Sequence, residues 1–387
     1  MHLHVGKNRA NRFLYSKLSS DTSQNKTRSR SRTPKSYSQS DRRNLITLYG
    51  STPTEEPQLA PWVRESTLTF KDPLLLLHEE IIDFYDFMQP NPLEKANQED
   101  ILNRLTAMVK SIWPDAEIQV FGSFANGLWL PTSDIDVSVR TNTNLSTRAS
   151  IDLLAASLIK TKMASELEKI YTARVPLLKF LDRSTSLSID VSFSIGQGME
   201  WINLVKDYLV KYPEAKYIIF VLKYYLKQRE LNETFNGGIG SYLLFCMVIS
   251  SIQMHPAHKD GGKHYGGYTL GHFLVHFFQL YGHEFNYSDI GIDIKWNGSY
   301  FQKRNKEWCK GKGEFLCVEC PQGTNNDIGR GAFRIKLIRE AFKHALSMIC
   351  SQTYVSAKTP LNLILISDDF IKNRKPYHIS QCLADNT

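Results

Sequence analysis

The segment Val120-Phe-Gly-Ser-Phe-Ala-Asn-Gly-Leu-Trp-Leu-Pro-Thr-Ser-Asp-Ile-Asp-Val-Ser-Val139 constrains this chain more than any other. In a strand, alternate side chains share a face, so Asp134, Asp136 and Ser138 project together while Ile135, Val137 and Val139 turn toward a core. Two carboxylates side by side repel and raise one pKa, whereas a divalent cation between them makes the arrangement favourable; Mg²⁺ suits such a site. The run Leu187–Phe193 repeats the design and offers Asp190 as a third carboxylate. Upstream, Gly122-Ser123 follows a strand and precedes a glycine-containing turn, which suits a backbone approaching a phosphate and a hydroxyl bonding to it. Gly-Ser turns and Asp-x-Asp edges are each common; this order, spacing and alternation together are specific.

Short β-like runs at 118–121, 134–139, 175–180 and 187–193 form one block, interrupted by a helical pattern from Ser150 to Tyr171. Helical periodicity surrounds the block. Asp72-Pro73 starts one amphipathic helix that Pro90 stops, and a second runs from about Asn97 to Ile112. Beyond Met199, the stretches 203–212, 214–230 and 240–254 read as helices. An α+β class follows, the fold beginning near Pro61 and a patternless tail beginning near Lys372.

Charge divides unevenly. Residues 1–45 hold eleven Lys or Arg and two Asp, a net of +9, so the overall +8 leaves the remainder at −1. That basic arm would attract polyanions by counterion release, which points to nucleic acid and to nuclear import, or else it is a solvated linker. No apolar stretch is long enough for a membrane span, and no secretory pattern opens the chain. The six cysteines show no disulfide framework. Cys317 and Cys320, with Cys309 upstream, have a zinc-like spacing, but the run 314–319 reads as a strand that would turn the two sulfurs to opposite faces. His272 and His276 lack the Glu of a zinc-protease helix and are expected to be packed or surface residues.

Gly122-Ser123, the Asp134-Ile-Asp136 pair and the later Asp190 resemble the signature of DNA polymerase β-like nucleotidyltransferases. A closer resemblance, over residues of about 60–350, is to the Trf-type noncanonical poly(A) RNA polymerases. It is carried by Pro61-Trp62, Leu77-His-Glu-Glu-Ile81, Leu130-Pro-Thr-Ser-Asp134, Val175-Pro-Leu-Leu-Lys179, Gly237-Gly-Ile-Gly-Ser-Tyr242 and Asn326-Asp-Ile-Gly-Arg330. The resemblance implies a nucleotidyltransferase domain (114–196) inserted in a helical central domain (61–113 and 197–355), after a disordered basic arm (1–60) and before a C-terminal extension, largely tail (356–387).

It further implies an RNA 3′-terminal adenylyltransferase using ATP and two ions, Mg²⁺ or Mn²⁺, on Asp134, Asp136 and Asp190. Lys223 and Lys227, one helical turn apart, would hold the triphosphate with Gly122, Ser123 and Ser241, while Tyr242 stacks on the base and Gly198, Asn326 and Asp327 complete nucleotide binding. Two positions depart from the family pattern: Cys320-Pro321 stands for its Asp-Pro, and Gln197 precedes Gly198 where an Asn is usual. The implied partners are RNA 3′ ends, a zinc-knuckle RNA-binding protein and a helicase, with the chain a monomer inside a nuclear surveillance complex. A uridylyltransferase, a polymerase of relaxed nucleotide choice, and an RNA-bound adaptor with a decayed site are the alternatives.

Overall fold

The computed structural model describes residues 59–173, 175–193, 198–259, 268–323, 326–351 and 359–374; the basic arm up to residue 58 and the Gln197 departure lie outside them. Two hydrophobic cores organise these residues.

The first core is helical. Helix α1 (Pro73–Phe87) is capped by the Asp72 carboxylate, which accepts from the backbone N–H of Leu74 and Leu75, and it buries Leu77, Ile81 and Phe84. Against it pack α6 (Ala215–Lys227) and α8 (Leu270–Gln279), and α7 (Ser241–Gln253) and α9 (Ile335–Ile349) complete the core. Ala60 and Trp62 are buried here too, on either side of the expected start at Pro61.

The second core lies under a five-stranded mixed sheet. Its strands are β1 (Glu117–Phe121), β2 (Ile135–Arg140), β3 (Ala164–Ile170), β4 (Leu177–Asp182) and β5 (Ser188–Ser192), in the order β1-β2-β5-β4-β3. Only β2 and β5 pair in parallel, and their register sets Asp136 opposite Asp190. Ile135, Val137, Val139, Ile189 and Val191 face inward and are buried, as the alternation requires.

The structure corrects five expectations. Helix α2 (Pro92–Ile112) starts five residues before Asn97, because Asn91 and Glu94 form a reciprocal capping box ahead of Pro92. Its Ile101, Leu105 and Val109 belong to the core of the sheet, so α2 joins the catalytic block rather than the helical domain. The helix expected over 150–171 ends with α4 (Thr147–Lys160); Lys162 turns the chain at φ 56, and Ala164–Ile170 becomes edge strand β3. Antiparallel pairing with β4 overrides the helix preference of Ser-Glu-Leu-Glu-Lys there.

The expected strand at 314–319 is instead irregular, with isolated bridges at Val318 and Glu319. Finally, Thr359 to Arg374 is no tail. Leu361, Ile364, Leu365 and Ile371 enter the helical core, Thr359 and the Leu361 N–H bond to buried Glu80, and Arg374 pairs with Glu94 of α2. Apolar residues at 361, 364, 365 and 371 anchor the segment despite its weak periodicity. Burial pushes the Glu80 carboxyl up to about 7, against the opposing bonds from Thr359, Leu361 and Trp62.

Helix α2 is fastened to the sheet by Arg104, whose guanidinium donates to both oxygens of Asp182 at 2.8 and 2.9 Å. Burial alone would raise the Asp182 carboxyl, but Arg104, Ser184 and Thr185 hold it well below the usual range. A depressed carboxyl contributes stability that is full above its unfolded pKa and is lost progressively as pH falls from there through its lower folded pKa. Arg104→Ala is therefore expected to cost about 2 kcal/mol near neutrality, by urea denaturation, with the difference shrinking below about pH 4. Equal losses at both pH values would show that the pair is not what fastens α2.

Candidate active site

A cleft of about 420 Å³ lies between the carboxylate edge of the sheet and the helical domain. Asp134, Asp136 and Asp190 line it from the sheet, Lys223, Lys227 and Ser241 from the helical domain, and Ser123 lines it as well. Seven residues named from sequence, scattered over 118 positions, thus meet in one place.

Asp136 on β2 and Asp190 on β5 are held by strand register, and Asp134 immediately precedes β2. Burial, with repulsion from Asp190 and Asp134, pushes the Asp136 carboxyl up to about 7; Lys223 and Lys179 oppose the shift. Burial, relieved in part by Lys179, leaves Asp190 raised to about 6.

Gly122 has φ 67 and packs its bare Cα against Asp136, so this glycine makes room for the carboxylate. The sequence reads the same glycine as a backbone approach to a phosphate, a role that contact with Asp136 leaves open. Ser123 follows in the short helix α3 (Gly122–Ala125).

Lys223 is 8% exposed, and its ammonium donates to the Leu128 carbonyl at 2.7 Å; Lys227 donates to the Thr132 carbonyl. Each bond uses one of three N–H donors. Burial lowers Lys223 to about 8, although Asp136 resists the shift, and burial lowers Lys227 as well. The two lysines therefore tie the turn between β1 and β2 to α6 while presenting positive charge to the cleft.

Lys179 was not assigned a role from sequence. It stands on β4 opposite Asp190, with its ammonium 2.5 Å from Asp134 Oδ2 and 3.4 Å from Asp190 Oδ1. The longer contact lacks hydrogen-bond geometry, which leaves the buried Asp190 Oδ1 without a donor. Alternation with buried Leu178 and Phe180 was the available signal. Burial would lower Lys179, but Asp134 and Asp190 raise it overall. Glu233, also unforeseen, lines the cleft on the helical side and adds to the repulsion at Asp190.

The donor set fits a divalent cation: three carboxylates face one cleft, two are raised by crowding and burial, and one buried oxygen lacks a donor. As they stand, no three acidic, Cys or His side chains among the described residues close into a ligand cluster. The Lys179 ammonium lies between Asp134 and Asp190 and supplies positive charge there.

Other expected nucleotide contacts are placed elsewhere. Tyr242 is half-buried outside the cleft lining, with its ring 3.7 Å from that of Trp201 and its Oη 3.6 Å from Cys320 Sγ. Asn326 is exposed, and its carbonyl accepts from the Cys320 N–H, so it sits beside Tyr242 rather than in the cleft. Asp327 is corrected to a structural role: it is buried, accepts from the N–H groups of Val318 and Gly329, and pairs with Lys312. Its carboxylate is committed to holding the loop. Gly198 is the first residue of α5 (Gly198–Lys211), and its immediate surroundings lie outside the described residues. Cys309 and Cys317 interact with each other, while Cys320 faces Tyr242. His272 bonds Thr269, and His276 packs at 4.8 Å from the ring of His255. No described helix is long and apolar enough to cross a membrane.

Comparison with known proteins agrees with this architecture. The family described as the central palm domain of mitochondrial-like poly(A) RNA polymerase matches residues 77–209, and the Cid1 family poly A polymerase domain matches 269–326. Poly(A) RNA polymerase cid14 of Schizosaccharomyces pombe is 30% identical over 348 residues, covering 86% of this chain and 50% of that protein. The chain thus spans about half that relative's length. The inactive non-canonical poly(A) RNA polymerase protein Trf4-2 of Drosophila melanogaster is 32% identical over 277 residues, covering 70% of this chain and 67% of its own length. The polymerase core of TRAMP, an RNA surveillance complex, superposes with a TM-score of 0.72 at 30% identity, covering 79% of this chain and 98% of the other. With a mixed sheet carrying its three carboxylates into a cleft against a helical domain, the chain belongs to the Trf-type noncanonical poly(A) RNA polymerases, on the nucleotidyltransferase fold.

Proposed function

We propose that the protein is a template-independent RNA 3′-terminal adenylyltransferase that adds AMP from ATP, acting in nuclear RNA processing and surveillance. The observation that carries this reading is the meeting of Asp134, Asp136 and Asp190 with Lys223, Lys227 and Ser241 across one cleft. Asp134 and Asp136 would hold one Mg²⁺ or Mn²⁺ and all three carboxylates a second. Bound, these ions polarise the triphosphate and the attacking hydroxyl and offset developing charge. The remaining donors of Lys223 and Lys227, with the hydroxyls of Ser123 and Ser241, neutralise and orient the triphosphate. Asp190, on the sheet side, would orient the RNA 3′-hydroxyl and accept its proton. The hydroxyl oxygen then forms a bond to the α-phosphorus as the bond to pyrophosphate breaks, with positioning and electrostatics contributing most of the acceleration. A zinc-knuckle RNA-binding protein and a helicase, implied by the family resemblance, are the proposed partners, and the similar polymerase core of TRAMP belongs to an RNA surveillance complex.

Extension of a short labelled RNA by purified protein, with Mg²⁺ or Mn²⁺ and each nucleotide in turn, tests the reading. Extension confined to ATP supports it. An RNA-bound subunit without transferase activity is the second reading, favoured by the relative named inactive; RNA binding with no extension by any nucleotide or metal would establish it instead.

Base choice is assigned to Asn326, whose exposed amide both donates and accepts as adenine's edge requires. Once a bound base covers that amide, pairing left unmade with the wrong base loses about 1–3 kcal/mol, roughly a 5- to 150-fold preference. Asn326→His is expected to raise UTP use relative to ATP without loss of total extension. Equal incorporation of UTP and ATP by the wild type in competition would remove Asn326 from base choice.

A further inference from the structure

A second cavity, of about 750 Å³, opens on the helical domain beside β6 (Ile290–Asp293), β7 (Ser299–Gln302) and the loop that follows. Lys303, Arg304, Lys310 and Lys312 line it against one carboxylate, Asp289. Residues 303–312 hold five Lys or Arg and one Glu, a net of +4 within a chain that beyond residue 45 sums to −1. The rest of that stretch therefore sums to −5, and this loop is far more basic than the stretch as a whole. A surface of that kind draws polyanions.

Local structure fixes the charge in place. Lys303 is 5% exposed, and its ammonium donates to the carbonyls of Tyr287, Gly313 and Phe315 at 2.5, 2.8 and 2.5 Å. All three donors meet neutral acceptors, so the bonds satisfy the group without cancelling its charge. Arg304 and Lys310 are exposed above it, Arg304 donating through Nε to Gln302 and Lys310 paired with exposed Glu307. Gly311 and Gly313 take φ 76 and 49 with open space where a side chain would stand, which leaves the loop backbone bare to a ligand. Lys312 grips Asp327, the neighbour of Asn326, so the basic loop is continuous with the segment assigned to base choice.

We infer that this cavity and its loop bind the phosphodiester backbone of the RNA strand upstream of its 3′ end, an inference that rests on the RNA-transferase reading above. The strand would lie along Arg304 and Lys310 as exposed contacts, with Lys303 as a buried fixed charge. Lys303 and Lys312 hold the loop and are left intact in the test.

Full-length protein is titrated, without nucleotide, into a labelled RNA of about 20 residues and one of about 5, at KCl concentrations from about 50 to about 300 mM. Two lost contacts to single-stranded phosphates reduce the salt slope by about 1.4 and affinity about tenfold near 0.15 M salt. Arg304→Gln/Lys310→Gln is expected to show both changes on the longer RNA, with the short RNA within about twofold of wild type. The charge-retaining Arg304→Lys/Lys310→Arg is expected to keep the wild-type slope, which separates charge from shape. An unchanged slope for the neutralised variant on the longer RNA overturns the inference, and is also what a cavity built for an acidic protein segment would give. Because no nucleotide is present, failure of 3′ extension would sink the transferase reading and leave this slope difference standing.

Discussion

Asp136→Asn and Asp190→Asn are each expected to reduce RNA 3′ extension by at least about a thousandfold, some 4 kcal/mol of transition-state stabilisation, while leaving the protein folded. Both side chains project from paired strands into the cleft, and neither fastens the fold by a hydrogen bond that the substitution would remove. Stability should in fact rise in metal-free protein. The Asp136 carboxyl is raised to about 7 by burial and by its acidic neighbours, so its ionised form is disfavoured in the folded state. A carboxyl raised on folding costs stability progressively as pH climbs from its unfolded value near 4 to its folded value, and the cost is constant above that. The gain in melting temperature for Asp136→Asn should therefore be small near pH 4, grow through about pH 7 and level off. Extension within about tenfold of wild type would remove the residue from the chemistry, and a melting temperature gain independent of pH would remove the electrostatic account.

The carboxylates were legible in the sequence because strand alternation is a strict rule: Asp134 and Asp136 are two apart, and hydrophobic neighbours fix which way they point. What period 2 cannot supply is register between strands. That Asp136 meets Asp190 across a parallel pair, and that Lys179 comes between Asp134 and Asp190, follows from sheet order, which no local pattern encodes. Asp327 misled for the opposite reason. Its position beside Asn326 suggested a ligand contact, but its carboxylate is consumed by two backbone N–H groups and Lys312, partners available only once the loop closes. Strand β3 and the packed segment 359–374 share that cause: local helix preference in one, and weak periodicity in the other, are outweighed by long-range pairing and burial. Helix α2 illustrates a further limit. Its periodicity is plain, yet nothing within it states which of two cores Ile101 and Leu105 will join.

Gly122→Ala should strongly reduce RNA 3′ extension without replacing a single charged residue. An added Cβ would overlap the Asp136 carboxylate, with Asp136 Cγ at 2.8 Å and Asp136 Cβ at 3.2 Å, so the side chain must swing away. Displacing a reacting or metal-holding group by about 1 Å can cost about a hundredfold in rate, and extension should fall at least that far. The substitution also strains the backbone, since φ 67 disfavours a side chain by about 1–2 kcal/mol. Gly127→Ala separates the two effects. That residue has φ 78 and nothing within 4 Å of an added Cβ, so it carries a similar backbone penalty with no carboxylate displaced. Both variants should lose comparable stability in urea denaturation, but only Gly122→Ala should lose 3′ extension. Equal activities for the two would mean that Asp136 tolerates displacement, and that the close approach of Gly122 serves the turn rather than the chemistry.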